Sequence, residues 1–231
     1  MIGITNATQK SIVAKITVNY PVGSTCSCSN GIKTYSASDT SGTFVFNIRD
    51  FGSWTLSCTD GTRTATETIS IDSWGQSQTV TLEYKKKFID DGQILETFTL
   101  SSGTLVSVAD YNYATFTTGG NKAAVAYVQV DLTQYSTLHL ILADGNKSYA
   151  TGQSDCPSMG IASSAPTIAA STGVIDSYDA INKFISSSGN YNGGEYALDI
   201  SSYTGNKYIF LATCGTSSHQ GPMNIIDFYA Q

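Results

Sequence analysis

The sequence has few charged residues, few basic residues and no long apolar run. Charged side chains make up 13% of its 231 residues, against roughly 25% in ordinary soluble domains. No stretch of about 18 apolar residues occurs, so no membrane-inserted helix is predicted. Residues 88–231 contain only 4 basic residues against 12 acidic ones. Because Lys and Arg supply most of the affinity for phosphate backbones, we expect no nucleic-acid partner.

Catalytic signatures are also missing from the sequence. It contains only two histidines and no Gly-Xaa-Ser-Xaa-Gly elbow, phosphate loop or His-Glu-Xaa-Xaa-His motif. His139 lies in an alternating apolar run and is interpreted as structural, whereas His219, five residues after Cys214, leaves a Cys/His nucleophile pair as an alternative. Glycoside hydrolysis would need two scattered carboxylates to converge. We therefore predict a protein that is not an enzyme.

The N-terminus predicts a cytosolic place of synthesis and retention. Residues 1–6 lack the basic start, apolar stretch and small-residue cleavage site of a secretory signal. Ser, Thr, Gly, Asn and Tyr replace charged residues at surface positions, as in extracellular-type proteins. This combination is typical of a virion protein that assembles in the host cytoplasm. The alternative is an extracellular or cell-surface protein whose export segment is not included in this sequence.

The five cysteines cannot all pair within one chain, so a disulfide framework is not expected. Cys26 and Cys28 are two residues apart and share one face of an extended strand, which Cys58 could approach. These three are interpreted as buried thiols or as including one bridge from Cys58. A zinc site would need a fourth ligand, and no histidine precedes position 139. The spacing of Cys156 and Cys214 neither suggests nor excludes a bridge.

The first part of the chain has the pattern of a small β-sandwich. Turn residues recur about every 8 to 12 positions across residues 12–84, which predicts about seven strands. Apolar residues alternate in residues 12–20 and again in residues 42–48. Asp60-Gly61 predicts a hairpin turn. The sequence therefore predicts an Ig-like β-sandwich over residues 1–87.

The rest of the chain, residues 88–231, predicts a larger β-sandwich. The basic run of residues 85–87 is interpreted as a solvated linker. Residues 177–186 could form one short helix, with apolar residues at helical spacing that cover the core. The fold class is therefore all-β, an Ig-like sandwich followed by a larger β-sandwich. The predicted strands of the second domain cover residues 125–132, 137–143, 195–200, 208–212 and 224–230.

Two family resemblances accompany this reading. Residues 21–26, 39–44, 52–56 and 78–84 resemble prealbumin-like or Ig-like sandwiches, most closely those of phage and prophage structural proteins that decorate capsids or tails. The succession of strand-like and turn-like segments in residues 195–230 is similar to that of galactose-binding-like jelly rolls. Carbohydrate-binding modules and adhesive domains share this fold. The resemblances imply a virion protein whose second domain, residues 88–231, is a larger jelly roll that binds glycans.

Polar and aromatic loop residues are the candidate glycan contacts. Aromatic rings can cover the apolar C–H faces of sugars, and amide and carboxylate groups can pair with hydroxyls. The alternative is that loop tyrosines cap the rim of a sandwich. Asp90 and Asp91 could join carbonyl oxygens in a calcium site, since hard cations prefer oxygen ligands. The candidate contacts are Tyr111, Asn112, Tyr113, Tyr178, Asp179, Tyr191, Asn192 and Glu195.

These observations favour a phage structural or adhesion protein. Its expected partners are glycans on a bacterial surface or in mucus, together with other virion proteins, and an oligomer is compatible with the pattern. Three alternatives stay open: a bacterial cell-surface adhesion module, a purely structural virion decoration protein, and a glycan-active enzyme. The enzyme would require two of the carboxylates Asp110, Asp155, Asp179 and Glu195 to lie together in a cleft.

Overall fold

The computed structural model describes residues 11–119, 122–149, 154–185, 189–216 and 219–231. The chain divides into two compact units, Met1–Tyr84 and Lys85–Gln231. The described residues form strands, turns and bends, and none of them is helical. The predicted all-β class is therefore confirmed. Over these same ranges, no helix has the length and apolar character needed to cross a membrane.

Over its described residues, 11–84, the first unit is a sandwich of seven strands in two sheets. The strands are β1 Ala14–Asn19, β2 Thr25–Ser29, β3 Thr34–Ser36, β4 Thr43–Ile48, β5 Gly52–Thr59, β6 Thr64–Ile71 and β7 Gln76–Thr81. In the three-stranded sheet, β1 lies between an antiparallel β4 and a parallel β7. The four-stranded sheet is antiparallel and has the order β3-β2-β5-β6.

The alternating residues that predicted these strands form the core of the first unit. Successive side chains of a strand point to opposite faces, so every second residue faces the other sheet. Ile16, Val18 and Phe46 are buried from one sheet, and Trp54 and Leu56 from the other. Trp54 stacks on Tyr35 with ring centroids 5.6 Å apart, and its indole N–H donates to the carbonyl of Asp50 over 3.2 Å.

Three of the five cysteines belong to this core as free thiols. Cys26 and Cys58 lie directly opposite each other on β2 and β5, and Cys28 is buried on the same face. Burial raises the pKa of Cys26 to about 11 and that of Cys28 to about 12. The thiols therefore stay protonated at neutral pH and pack as small apolar groups. The alternative of a bridge from Cys58 is wrong.

The Asp60-Gly61 hairpin is held by one carboxylate. Oδ1 of Asp60 accepts the backbone N–H groups of Thr62 (2.9 Å) and Arg63 (2.7 Å), and Oδ2 accepts from the Arg63 guanidinium (2.8 Å). Gly61 supplies the positive φ of +92° that the turn requires. Because these hydrogen bonds favour the charged form, they lower the pKa of Asp60 to about 2.

Acid is therefore expected to remove the contribution of Asp60 to stability. A depressed pKa stabilises the folded unit above the unfolded value of roughly 3.9, and this stabilisation is lost as the pH falls through the folded value. Asp60→Asn should be less stable than the parent at pH 6 and nearly equal to it at pH 2, as measured by urea unfolding. Glu67→Gln, at an exposed position outside the turn, is the control. A destabilisation by Asp60→Asn that is the same at both pH values would contradict this role.

The second unit is a larger sandwich. Its strands are β8 Lys86–Asp90, β9 Gln93–Ile94, β10 Thr99–Leu100, β11 Thr104–Ser107, β12 Ala114–Thr117, β13 Ala123–Asp131, β14 Thr137–Leu142, β15 Asn146–Ser148, β16 Ser158–Ala162, β17 Ala180–Lys183, β18 Gly189–Tyr191, β19 Gly194–Asp199, β20 Asn206–Cys214 and β21 Met223–Ala230. One sheet has the order β10-β13-β20-β16-β17, and the other has the order β11-β12-β21-β14-β19. In the second sheet β8 also pairs with β21, and β9 pairs with β8.

The core of the second unit lies between these two sheets. Phe116, Leu140 and Phe228 contribute from one sheet, and Ile209 and Leu211 from the other. The basic run that the sequence assigned to a linker is instead part of this unit. Its last two residues begin β8 and pair with the end of β21. The linker interpretation is therefore wrong. Main-chain pairing with a distant strand, and not local charge, makes these residues part of a β-strand.

A second apolar cluster covers the outer face of the five-stranded sheet. It contains Val125 and Phe210 together with the cysteines that the sequence left unassigned. Cys156 and Cys214 form a disulfide with their Cα atoms 5.6 Å apart. Ile181 packs against the same cluster from β17, so the helix predicted for residues 177–186 is wrong over its described part. Pairing with β16 outweighs the helical spacing of its apolar residues.

Candidate functional site

The most exposed of the candidate aromatic side chains lies in the turn between β11 and β12. Tyr111 is 61% exposed and stacks on Tyr113, with ring centroids 5.2 Å apart and planes at 23°. The turn is closed by two backbone bonds, from the N–H of Val108 to the carbonyl of Tyr113 (3.1 Å) and from the N–H of Tyr111 to the carbonyl of Val108 (3.0 Å). The chain thus presents a supported aromatic ring to solvent.

A neighbouring turn supports this loop and brings carboxylates beside it. Gly92 has φ of +73°, and a Cβ atom there would lie 2.4 Å from the backbone nitrogen of Tyr113. Only glycine allows this close approach. The N–H of Asp91 donates to Oδ1 of Asp227 over 2.9 Å. We call Tyr111, Tyr113, the exposed Asn112, Asp91 and Asp227 the Tyr111 site.

The proposed calcium ligands lie at the edge of this site. Nζ of Lys87 donates to Oδ1 of Asp90 over 2.6 Å, so this carboxylate is already paired with a cation. No group of three or more His, Cys, Asp or Glu side chains in the described ranges is arranged to hold a metal ion. A calcium ion here would therefore depend on carbonyl oxygens and on Asp91. Calcium binding stays a prediction.

Tyr178 and Asp179 lie in a different part of the unit, directly before β17. Tyr178 is exposed. The carboxylate of Asp179 accepts from Nζ of Lys207 (2.9 Å) and from the hydroxyl of Ser163 (2.7 Å). Burial alone would raise the pKa of Asp179, but these bonds outweigh it and the pKa is lowered. Asp179 therefore ties two loops to β20 as part of the local structure.

The remaining predicted glycan contacts are Tyr191, Asn192 and Glu195, of which one lies in the core and two lie on the surface. Tyr191 is buried against Phe184, its hydroxyl has no hydrogen-bond partner, and burial raises its pKa. Its ring is thus part of the core and is not exposed for contact with a glycan. Asn192 and Glu195 are exposed. Oε1 of Glu195 lies 2.7 Å from Nδ1 of His139.

The predicted contacts do not form one continuous site. The Tyr111 site lies beside β12, near one edge of its sheet, and Glu195 lies in β19 at the opposite edge. Asp179 precedes a strand of the other sheet. The structure therefore brings together only Tyr111, Asn112 and Tyr113 of the predicted set, and adds to them Asp227, which the sequence analysis did not single out.

Sequence reasoning also missed a stack of side chains around Tyr229. The His139 ring lies nearly parallel to that of Tyr229, at 4.8 Å and 10°, and Nζ of Lys85 lies 4.8 Å from its centroid. The pairing register of β14 and β21 explains this contact, because it places His139 directly opposite Tyr229. Since His139 is held by Tyr229 and Glu195, its interpretation as a structural residue agrees with these contacts.

Three of the four carboxylates that the sequence offered for glycoside hydrolysis have separate structural partners. Asp155 pairs with Lys183 (2.6 Å) and accepts the N–H of Ile175 (2.9 Å), while Asp179 pairs with Lys207. The Cys/His nucleophile alternative is wrong, because Cys214 is in a disulfide. Asp155, Asp179 and Glu195 are therefore each paired with a basic side chain and not with one another.

Comparison with protein-family models and with curated protein sequences gave no match. Among solved structures, the chain is similar to carbohydrate-binding modules of the β-sandwich superfamily, with 12% identity, a TM-score of 0.36 and coverage of 90% of this chain and 84% of the other. It is also similar to a family 35 carbohydrate-binding module from Clostridium thermocellum, with 18% identity, a TM-score of 0.30 and coverage of 63% and 95%. At these scores, function has to be argued from the residues of the chain itself.

Proposed function

We propose that this chain is a non-enzymatic carbohydrate-binding protein whose second unit binds glycans at the Tyr111 site. The observation that carries this proposal is the exposed Tyr111 ring, stacked on Tyr113 in a turn that also contains the exposed Asn112 and packs against the turn of Asp91. An aromatic ring covers the apolar C–H face of a sugar, and amide and carboxylate oxygens accept its hydroxyl protons. The site offers both at one turn.

Shape and charge favour a neutral sugar as the ligand. Asp91 and its partner Asp227 belong to the turn that packs against the backbone of Tyr113, so an acidic sugar at this site would meet like charge. One stacked ring is worth about 0.5–1.5 kcal/mol beyond area burial, which corresponds to weak binding at a single site. Weak sites gain strength when several copies bind one surface. We therefore propose repeated glycans of a bacterial surface or of mucus as the ligands.

The biological setting that we propose is a virion, in which other virion proteins are partners and assembly takes place in the host cytoplasm. This rests on the resemblance of the first unit to phage structural sandwiches. A bacterial cell-surface adhesion module is the second candidate. The Cys156–Cys214 disulfide favours exposure to an oxidising environment outside a cytosol, where a released particle and a cell-surface protein both function.

A glycan array with matched tyrosine variants tests the proposed function. The array carries bacterial cell-wall polysaccharides and mucin glycans and is probed with and without calcium. Tyr111→Ala should weaken binding about tenfold or more, since it removes the stacked ring, whereas Tyr111→Phe should retain most of it. Tyr178→Ala, another exposed tyrosine of the same unit, is the control.

Comparing binding with and without calcium distinguishes a site that contains a metal ion from a site that does not. Binding that a chelator abolishes and that Asp91→Asn also weakens would support a metal-assisted site. Binding that is insensitive to a chelator leaves the aromatic ring and the polar groups as the whole site. Unchanged binding by Tyr111→Ala would overturn the proposal. Absence of binding to every glycan on the array would overturn it as well.

A further inference from the structure

The first unit contains an exposed pair of aromatic residues that the proposed function does not use. Trp74 is 66% exposed and Phe51 is 45% exposed, although the other tryptophan of the chain, Trp54, is fully buried. The rings of Phe51 and Trp74 lie 5.5 Å apart, with their planes at 85°. The two rings are nearly perpendicular and form a concave aromatic surface. We call this surface of Phe51 and Trp74 the Trp74 corner.

The backbone beneath this corner is well supported. The N–H of Gly75 donates to the carbonyl of Val13 over 2.8 Å, which fixes the β6–β7 turn to the start of β1. Within the turn, the Gln76 side chain accepts the N–H of Asp72 (3.1 Å) and donates to the carbonyl of Ser70 (2.8 Å). Trp74 is therefore held outward by a hydrogen-bonded turn, and its exposure is a property of the fold.

A small groove lies beside the exposed tryptophan. Residues 12–15 and 75–77 line a cavity of about 210 Å³, which combines the apolar residues Ile12 and Val13 with backbone groups and the polar residues Lys15 and Ser77. This is below the volume of roughly 300 Å³ at which pockets for drug-sized ligands begin. A groove of this size suits one or two sugar rings.

We infer that the Trp74 corner is a second carbohydrate site, separate from the Tyr111 site. A sugar ring stacks its C–H face on Trp74, with Phe51 as the side wall, and its hydroxyls reach the polar groups of the adjacent groove. Asp72, whose carboxylate is oriented by the hydroxyl of Ser70 (2.8 Å), lies two residues before Trp74. The ligand class is a neutral oligosaccharide.

The extent of the corner favours a sugar over a protein partner. A stable protein interface buries about 800 Å² on each partner around an apolar centre. Here the exposed large apolar side chains are Phe51 and Trp74, with Ile12 in the groove, and their neighbours along the chain include Asp50, Ser53, Asp72 and Ser73. Such a patch covers a sugar ring more readily than it anchors a protein. Two sites in one chain would also increase the affinity for a repeated glycan.

Intrinsic fluorescence of the full chain tests this inference directly, because Trp74 is the exposed tryptophan and Trp54 is shielded. The probes are soluble oligomers of glucose, of galactose and of N-acetylglucosamine. We expect at least one of them to shift the emission and to protect Trp74 from acrylamide quenching. Calorimetric titration of the same sugar should show a loss of about tenfold in affinity at this site for Trp74→Ala, and a smaller loss for Phe51→Ala.

Two controls keep the result specific. Ile32→Ala removes an exposed apolar side chain from a different turn and should leave binding unchanged. Tyr111→Ala should leave the fluorescence response intact, so failure of the Tyr111 site and failure of the Trp74 corner are distinguishable. No response to any of the three sugars overturns the inference. It is also overturned if protein concentration alone shields Trp74 and sedimentation shows a self-association that Trp74→Ala abolishes.

Discussion

Removal of the disulfide between Cys156 and Cys214 is expected to lower the free energy of unfolding of the second unit by about 4 kcal/mol. The bridge closes a loop with a sequence separation of 58 residues, and chain-entropy estimates for loops of this length are about 4 kcal/mol. For a unit of this size, the melting temperature should fall by roughly 10 °C. Thermal unfolding of the double variant Cys156→Ala/Cys214→Ala, followed by circular dichroism, measures the effect.

The first unit provides an internal control for the disulfide experiment. Both tryptophans of the chain lie in it, at positions 54 and 74, so tryptophan fluorescence reports the unfolding of this unit alone. Its three cysteines are already free, and reducing agent has no bridge to break there. A reductant should therefore lower the melting temperature of the second unit and leave the fluorescence transition unchanged. Equal stability of the oxidised and reduced second unit would contradict the prediction.

Trp54→Ala is expected to destabilise the first unit by about 3–5 kcal/mol, the usual cost of removing a buried aromatic side chain. Trp54 is fully buried, stacks on Tyr35 and donates a hydrogen bond to the carbonyl of Asp50. A domain of this size is stable by only about 5–10 kcal/mol in total. We therefore expect a large unfolded fraction of the first unit at moderate temperature.

Thiol labelling measures the effect of this substitution. Cys26, Cys28 and Cys58 are buried with raised pKa values, and they should react with a thiol reagent only when the first unit opens. Trp74→Ala is the matched control, since it removes the same side chain from an exposed position. Labelling of Trp54→Ala should be much faster than that of Trp74→Ala. Similar rates for the two variants would show that Trp54 is not a core anchor.

The strand pattern was accessible from the sequence because it depends on neighbouring residues. Alternation in residues 12–20 and 42–48 predicted β1 and β4, and the Asp60-Gly61 turn was placed between the strands that it joins. Loop residues around Tyr111 were also predicted to be on the surface. In each case, a local period of two or a local turn requirement determines the outcome.

The candidate site was predictable only in part. Tyr111 and Tyr191 occur in similar loop-like sequences rich in Asn and Tyr, yet one is exposed and the other is in the core. The difference arises because Tyr191 lies in β18, which pairs with the distant strand β15, and its ring joins the core cluster beside Phe184. No pattern near either tyrosine contains that information, since it depends on which distant segments come together.

The all-β class, most of the strands and the turns between them were predictable, because they depend on local alternation and on residues with special backbone preferences. Three outcomes are visible only in the folded chain: Cys156 pairs with Cys214 while Cys58 stays free, the basic run enters β8, and Trp54 is buried whereas Trp74 is exposed. Each of these outcomes depends on strands that are far apart in the chain, and their pairing and packing are set by the whole sandwich.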